Sequence, residues 1–463
     1  MVNTTLIEAC VLGDLRRVEY ILSKDTANIN IGDENGVTPA MIAAQIGRRD
    51  ILELLVKRGA DLSLTNDEER NVLHVACMEG NMEVAKYIHS QNIIGIESTD
   101  GFETTPLMFA AVSGKIEVFS FLIRIGADVS RENANGENIL HLSCRSEIVE
   151  IVNFILTQNI LNVNCTGTYG TTPLMAACYG NGTVFDLLIK RGADTLAKDE
   201  DNRNILHHAS RGGNEAIVNY ILTQTVLDIN SKTILKMTPV LFAAFEGKID
   251  VLDLLIERGA YTTAVDYNNG NILHLSCSGG YVESVKHVLK LNIVDINSKE
   301  GDGRTAVLVA AFKGNREVFD ILVKEGADLS AVDDCGDNIL HLACLGENVE
   351  IVQRVLALKV VDINSRGADG MTPLLTAVAC NARDVIDLLI DIGADPSVVN
   401  IYGKNILHLA CQVGNEDIVK YVMSNGIVDI TTKTKKGVNA AMIAMECGYS
   451  SISKLLSQGS QVE

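Results

Sequence analysis

The chain has 463 residues, 47% hydrophobic, 21% charged and 5% aromatic, with no Trp and a formal net charge of −20. So apolar a composition excludes extended disorder, and the acidic balance makes nucleic acid and anionic lipid poor partners. No apolar run approaches the roughly 18 residues of a membrane span, and no basic stretch leads into a hydrophobic one at the N-terminus, so neither membrane insertion nor secretion is expected.

Residues 1–33 read as a first unit that begins at Leu6 and presents Glu8, Asp14, Arg16 and Arg17. Beyond it two phrases alternate. One is Thr-Pro-Leu-Met, whose second position is Pro39, Pro106, Pro173, Pro239, Ala306, Pro373 and Ala440, at spacings of 66 or 67. The other is Asn-Ile-Leu-His-Leu-Ala-Cys, with His74, His141, His207, His274, His341 and His408 spaced likewise. From Met41 to His74 is 33 residues and from His74 to Met108 is 34, so the true repeat is half of 67, in two flavours. A period of this length marks a stack of units, none of which buries its apolar face alone. Twelve internal units fill 34–433 and a last unit fills 434–463, with a polar tail; the atypical first and last units are expected to cap the stack. One elongated array is expected, rather than the three domains that length alone suggests.

Each unit should hold two helices and a finger. In 334–367, Asn338 caps a short helix through Leu340, Leu342 and Ala343 that Gly346 ends. Ile351, Val352, Val355 and Leu356 line one face of a second helix, and Val360 to Asn364 form an extended β-branched finger. In the other flavour Pro sits in the first helical turn, where its missing N–H has no partner to lose. Gly59, Gly126, Gly192, Gly259, Gly326 and Gly393 should close the second helix in the left-handed region. The matching slot of the His-type units holds Asn92, Asn159, Thr225, Asn292, Lys359 and Gly426.

The run Thr-Pro-Leu-x-x-Ala-Ala, then Gly, an amphipathic helix and Leu-Leu-Ile-x-x-Gly-Ala-Asp, best seen at Thr105 to Asp128 and Thr372 to Asp395, resembles the ankyrin repeat. The resemblance covers nearly the whole chain at that family's own period. The chain departs from the family's Thr-Pro-Leu-His box by keeping Thr-Pro in one flavour and Leu-His in the other. The resemblance implies an all-α solenoid of stacked helix-turn-helix pairs with short β-hairpin fingers. It also implies that each phrase histidine hydrogen-bonds locally and ties one unit to the next.

The six histidines cannot share a metal. Helix layers pack roughly 8 to 10 Å apart, whereas Zn–N bonds need about 2.0 to 2.1 Å. Cys10, Cys77, Cys144, Cys277, Cys344 and Cys411 fill a slot that holds Ala in the Pro-type units, so they read as small buried thiols of a reducing compartment. No Cys-x-x-Cys, phosphate loop, Gly-x-Ser-x-Gly or His-Glu-x-x-His is present, so neither an enzyme nor a cofactor is expected. The sequons at Asn3, Asn164 and Asn181 read as chance matches, and Gly212-Gly213 and Gly279-Gly280 as tight turns.

Charge and non-repeating residues carry the functional expectation. The six fingers leading from Pro-type to His-type units total −12, and the other six total −2. Asp67, Glu68, Glu69, Asp199, Glu200, Asp201, Asp333 and Asp334 are the strongest clusters. They read either as an acidic comb for a partner protein with a basic segment or as a solvated rim. Six residues beyond the Pro slot, Tyr179, Phe245 and Phe312 form a central aromatic stretch that the resemblance places near a concave face, where it would anchor a partner or pack between units. Asn230, Asn297 and Asn364 each follow a Leu by eight residues, as do Asn30 and Asn164, which resembles ankyrin sites accepted by asparaginyl hydroxylases; the alternative is an Asn bonding its own turn. The reading is a non-catalytic, monomeric scaffold or adaptor of the cytoplasm or nucleus, binding protein on the concave face and finger tips. Its alternative is an architectural or elastic spacer between anchored partners.

Overall fold

The computed structural model describes residues 5–24, 28–180, 182–224 and 226–459, so Asn3, Asn181 and Thr225 lie outside the described residues. Within them 28 α-helices form fourteen successive pairs. The pairs fall into two compact units, 1–228 and 229–463, with seven pairs in each. Each pair in a stack touches chiefly its neighbours.

In the first unit the leading helices are Leu6–Val11, Pro39–Gln45, Val72–Glu79, Pro106–Val112, Ile139–Arg145, Pro173–Ala177 and Ile205–Gly212. In the second they are Pro239–Phe245, Ile272–Gly279, Ala306–Lys313, Ile339–Leu345, Pro373–Ala379, Ile406–Val413 and Ala440–Glu446. Helices this short do not persist in isolation, so packing must hold them. Val72 to Cys77 are buried without interruption, which places the leading helix between its neighbours on both sides. The trailing helices bury one stripe only, such as Ile51, Leu52 and Leu55 of Arg49–Lys57. Each leading helix follows a Thr or Asn, and all but those after Thr238 and Thr305 are capped by its side chain: Thr105 Oγ1 accepts the Met108 N–H at 3.3 Å, and Asn71 Oδ1 accepts those of Leu73 and His74 at 3.0 and 3.2 Å.

The trailing helices end as the sequence predicts. Gly59, Gly126 and Gly259 have φ of +95°, +97° and +92°, and a Cβ there would meet nothing, so backbone conformation alone demands glycine. Asn92, Asn159, Asn292 and Lys359 take the same left-handed region at φ 54°, 50°, 51° and 54°. Gly346 differs from expectation. Its φ is −81°, and Glu347 supplies the left-handed residue at φ 57°. Glycine is needed at 346 because a Cβ would collide with the Phe312 carbonyl of the preceding pair. The same collision with the Phe245 carbonyl explains Gly279, while its neighbour Gly280 makes the turn at φ 76°.

The fingers contain no strand among the described residues. The expected hairpins reduce to isolated antiparallel bridges, Lys299 with Thr305, Val332 with Asn338 and Lys433 with Asn439. A side chain holds the finger instead of a ladder. Asp33 Oδ1 accepts the N–H groups of both Asn35 and Val37 at 2.9 Å, closing the tip before left-handed Gly36. One backbone bond then links neighbouring tips, from Asp67 N–H to Asn35 O at 3.0 Å and from Ala134 N–H to Phe102 O at 2.9 Å.

Candidate interaction surface

The phrase histidines are consumed inside the stack. His74 Nδ1 accepts the Asn71 N–H at 3.1 Å, and its Nε2–H donates to the Ser98 carbonyl in the next finger at 3.0 Å. Nε2 of His141, His274, His341 and His408 reaches the carbonyls of Thr171, Arg304, Met371 and Thr432 at 2.9 to 3.1 Å. For His74, His274, His341 and His408, whose Nδ1 accepts the cap N–H, one neutral tautomer protonated on Nε2 serves both bonds of the joint, whereas His141 Nδ1 lies 2.8 Å from Asn138 Oδ1 instead. Burial lowers the pKa of all five rings, which favours that neutral form.

A second joint uses the candidate hydroxylation asparagines. Oδ1 of Asn230, Asn297 and Asn364 accepts the N–H of Tyr261, Asp328 and Asp395 respectively, each at 2.8 Å. Asn30 and Asn164 do the same with Asp61 and Asp194. These side chains bond the next unit rather than their own turn.

The acidic comb divides into two kinds of residue. Asp67, Glu68, Glu69, Glu200, Asp201 and Asp334 are exposed at finger tips. Asp199 and Asp333 are buried and occupy the slot of Asp33, so these two are corrected from surface acids to turn formers. Asp333 Oδ1 accepts the N–H groups of Cys335 and Asp337 at 3.0 and 2.9 Å. Asp199 accepts from the Arg203 backbone and guanidinium, both at 2.8 Å, and from His208 Nε2 at 3.0 Å. Burial opposes its charge, yet the bonds from His208 and the Arg203 backbone prevail and hold its pKa below the usual range. The available cue was register, since Asp33, Asp199 and Asp333 each stand five residues before a leading-helix cap and the tip acids Glu200, Asp201 and Asp334 follow them.

The aromatic stretch is also divided. Tyr179 belongs to the first unit, and Phe245 and Phe312 to the second. The Tyr179 hydroxyl donates to His208 Nδ1 at 3.1 Å, completing a chain to Asp199 and Arg203. Its pair is the shortened one, with only five residues in Pro173–Ala177. Phe245 and Phe312 are half-buried, and the Arg304 guanidinium already lies 5.0 Å from the Phe312 ring centre.

Exposed apolar side chains were missed by the sequence reading. Ile234, Leu235 and Tyr267 are 65%, 54% and 63% exposed at adjacent finger tips of the second unit, and Tyr267 N–H donates to Leu235 O at 3.0 Å. Phe102 and Tyr169 are exposed tip residues of the first unit. The available signal was their position: each lies between the turn-forming slot and the left-handed residue, where a side chain faces outward. A groove of about 710 Å³ also crosses the trailing helices beside the shortened pair, lined by Val149, Phe185, Lys190 and Tyr220.

The ankyrin-repeat family model, which spans three copies, matches residues 2–66, 58–133, 125–199, 187–266, 241–333, 310–400 and 392–463. The chain belongs to the ankyrin-repeat family. Ankyrin repeats are generally protein–protein interaction modules, and every matched stretch of this chain is ankyrin repeat. Among curated proteins it is similar to human Transient receptor potential cation channel subfamily A member 1, at 24% identity over 76% of this chain and 29% of the channel. An ankyrin repeat protein of Acanthamoeba polyphaga mimivirus is 24% identical over 77% of this chain and 46% of its own length. The ubiquitin-protein ligase KEG of Arabidopsis thaliana is 27% identical over 64% of this chain and 19% of the ligase. The ankyrin chain thus spans less than half the length of these relatives. No helix among its described residues is long and apolar enough to cross a membrane.

Proposed function

We propose that this ankyrin array is a non-catalytic, monomeric adaptor that binds a partner protein along its finger tips and leading-helix side, in the cytoplasm or nucleus. The observation that carries the reading is the tip cluster Ile234, Leu235 and Tyr267, three large apolar side chains exposed on turns fixed to one another by a backbone bond. Contiguous exposed apolar surface rimmed by charge is the chemistry of a protein interface. On each unit the exposed tip acids, Asp67, Glu68, Glu69, Glu200 and Asp201 of the first and Asp334 of the second, favour a basic segment in the partner. Phe245 and Phe312, half-buried in the second unit, and Tyr179, exposed in the first, offer aromatic anchors.

The test is cross-linking with mass spectrometry from native lysate, followed by substitution. Asp334→Lys together with Glu200→Lys should weaken capture of the partner, as should Tyr267→Ala, with the array still folded. Unchanged capture by both variants would remove the reading. Phe245→Ala with Phe312→Ala is the parallel test for the anchors. The proposal includes hydroxylation of Asn230, Asn297 and Asn364, since modification at Cβ leaves Oδ1 able to keep its bond to the next unit. Peptides from the chain co-expressed with an asparaginyl hydroxylase should gain one oxygen mass, and no gain on any of them would end that part.

A further inference from the structure

One slot, seven residues beyond the leading-helix cap, recurs in every pair. In the first unit it holds Leu12, Gln45, Met78 and Val112, then Arg145, Tyr179 and Arg211, so its charges are two arginines on either side of a tyrosine. The helices that lead to them, Ile139–Arg145, Pro173–Ala177 and Ile205–Gly212, pack side by side in that order. Their ends are in contact. A Cβ on Gly180 would lie 2.7 Å from the carboxylate of half-buried Glu147, and one on Gly212 would lie 3.1 Å from the Tyr179 Cα. Arg145, Tyr179 and Arg211 therefore form one row across three layers, and all three are exposed.

Buried acids hold the basic groups of this row in place. Arg145 pairs with Glu137 at 2.5 Å, and the two side chains are 52% and 6% exposed. Glu137 is the residue before its helix cap. In the pair that ends in Arg211 this position is Arg203, so like charges stand where Glu137 and Arg145 complement each other. Arg203 pairs with buried Asp199 at 2.8 Å and with Asp201 at 2.5 Å. A guanidinium carries several N–H donors in a rigid fork, so such a pair fixes its plane without using every donor. Burial raises the Tyr179 pKa while the charges of Arg211, Arg203 and Arg145 oppose the rise, which puts all three guanidiniums within reach of the phenol.

We propose that this row binds an extended acidic segment of another protein, with carboxylates on Arg145 and Arg211 and an apolar side chain on the exposed edge of Tyr179 between them. Charge complementarity selects the occupant, because guanidinium forks match carboxylates in bidentate geometry. The Tyr179 ring is already held by its bond to His208, so covering it costs little side-chain freedom. Helix layers pack roughly 8 to 10 Å apart, which sets the two arginines about 16 to 20 Å apart. An extended chain at about 3.3 Å per residue spans that distance in about five or six residues. Nucleic acid is the poorer occupant, because a phosphate at every step would also meet the exposed acids Glu200 and Asp201. The row belongs to the first unit, whereas Tyr267 and Asp334 belong to the second, and its partner has the opposite charge to theirs.

The test selects a displayed library of random peptides, about twelve residues long, on the full chain and counter-selects it on Arg145→Gln/Arg211→Gln. Thermal unfolding checks that this variant folds. Arg211→Gln alone, at an exposed site, replaces it if loss of the Glu137 partner unfolds the double variant. The surviving pool should carry two Asp or Glu about five or six residues apart. Its peptides should bind at least about tenfold more weakly to the variant, and more weakly as salt is added. Tyr267→Ala and Asp334→Lys should leave their binding unchanged, which separates this result from loss of the tip reading. An empty pool, a pool without that acid spacing, or displacement of its peptides by an equal concentration of single-stranded oligonucleotide would overturn the proposal.

Discussion

The first and last helix pairs occupy equivalent ends of the repeat pattern but present different chemistry. In Leu15–Leu22 the slot that inner pairs fill with Ile51 or Val84 holds Arg17, whose guanidinium is left in water. In Ala440–Glu446 the slots that inner pairs bury hold Met442 and Met445, which stay apolar although exposed. A guanidinium at such a slot would be costly to bury, whereas a thioether would not.

His341 gives the largest contrast with exposed Met442. His341→Ala removes the acceptor for the Asn338 N–H and the donor to the Met371 carbonyl, and empties a buried site. The expected loss is about 3–5 kcal/mol in urea unfolding. Met442→Ala, at the same slot, should cost under about 0.5 kcal/mol. Equal losses would mean that the two slots are equally covered.

Acidity should attack the covered joints selectively. His274, His341 and His408 have folded pKa values lowered by burial, so below about pH 6.5 the unfolded chain binds more protons than the folded one. Their contribution is complete above that pH and is lost as pH falls through the lowered values. The urea midpoint should therefore drop between about pH 7.5 and 5.5, by on the order of 1 kcal/mol for each unit of pKa shift. A flat midpoint across that range would contradict neutral, buried joints.

Glu300 should respond with the opposite sign. Burial pushes its pKa up to about 7, with Arg304 opposing and Asp302 and Asp266 reinforcing. The folded state thus prefers the protonated acid, and its contribution is complete below the unfolded value and lost as pH rises through about 7. Glu300→Gln should stabilise the second unit above that pH by roughly 1 kcal/mol, a figure reduced for its partial exposure, and should do little in acid. The same gain at both pH values would contradict this account. A small effect is expected at Lys359, left-handed at φ 54° where most other units use Asn or Gly. Lys359→Asn should raise stability by less than about 1 kcal/mol, read as a small rise in Tm.

Much of the fold was legible because the physics repeats. Thirty-three-residue spacing revealed the helix pairs, and left-handed closure was visible in Gly59 and Asn92 because few residues tolerate that backbone. The candidate surface was less legible. Asp199 and Glu200 are neighbours with the same charge, and only the turn decides that the first is buried and the second exposed. Gly346 resembled a helix terminator, although the approach of the Phe312 carbonyl is what excludes a side chain. Met442 stands at the slot of Met41, yet the first is exposed and the second buried, because a slot alone does not show whether a neighbour covers it.

The most direct measurement places one substitution at the same slot in two settings and compares the urea unfolding of Ala311→Asp and Met445→Asp. Ala311 is 0% exposed and Met445 is 65% exposed. A buried, unpaired carboxylate at 311 should cost more than about 4 kcal/mol, while Met445→Asp should stay within about 0.5 kcal/mol of the parent chain. Comparable losses from the two variants would contradict the difference in burial between these two slots.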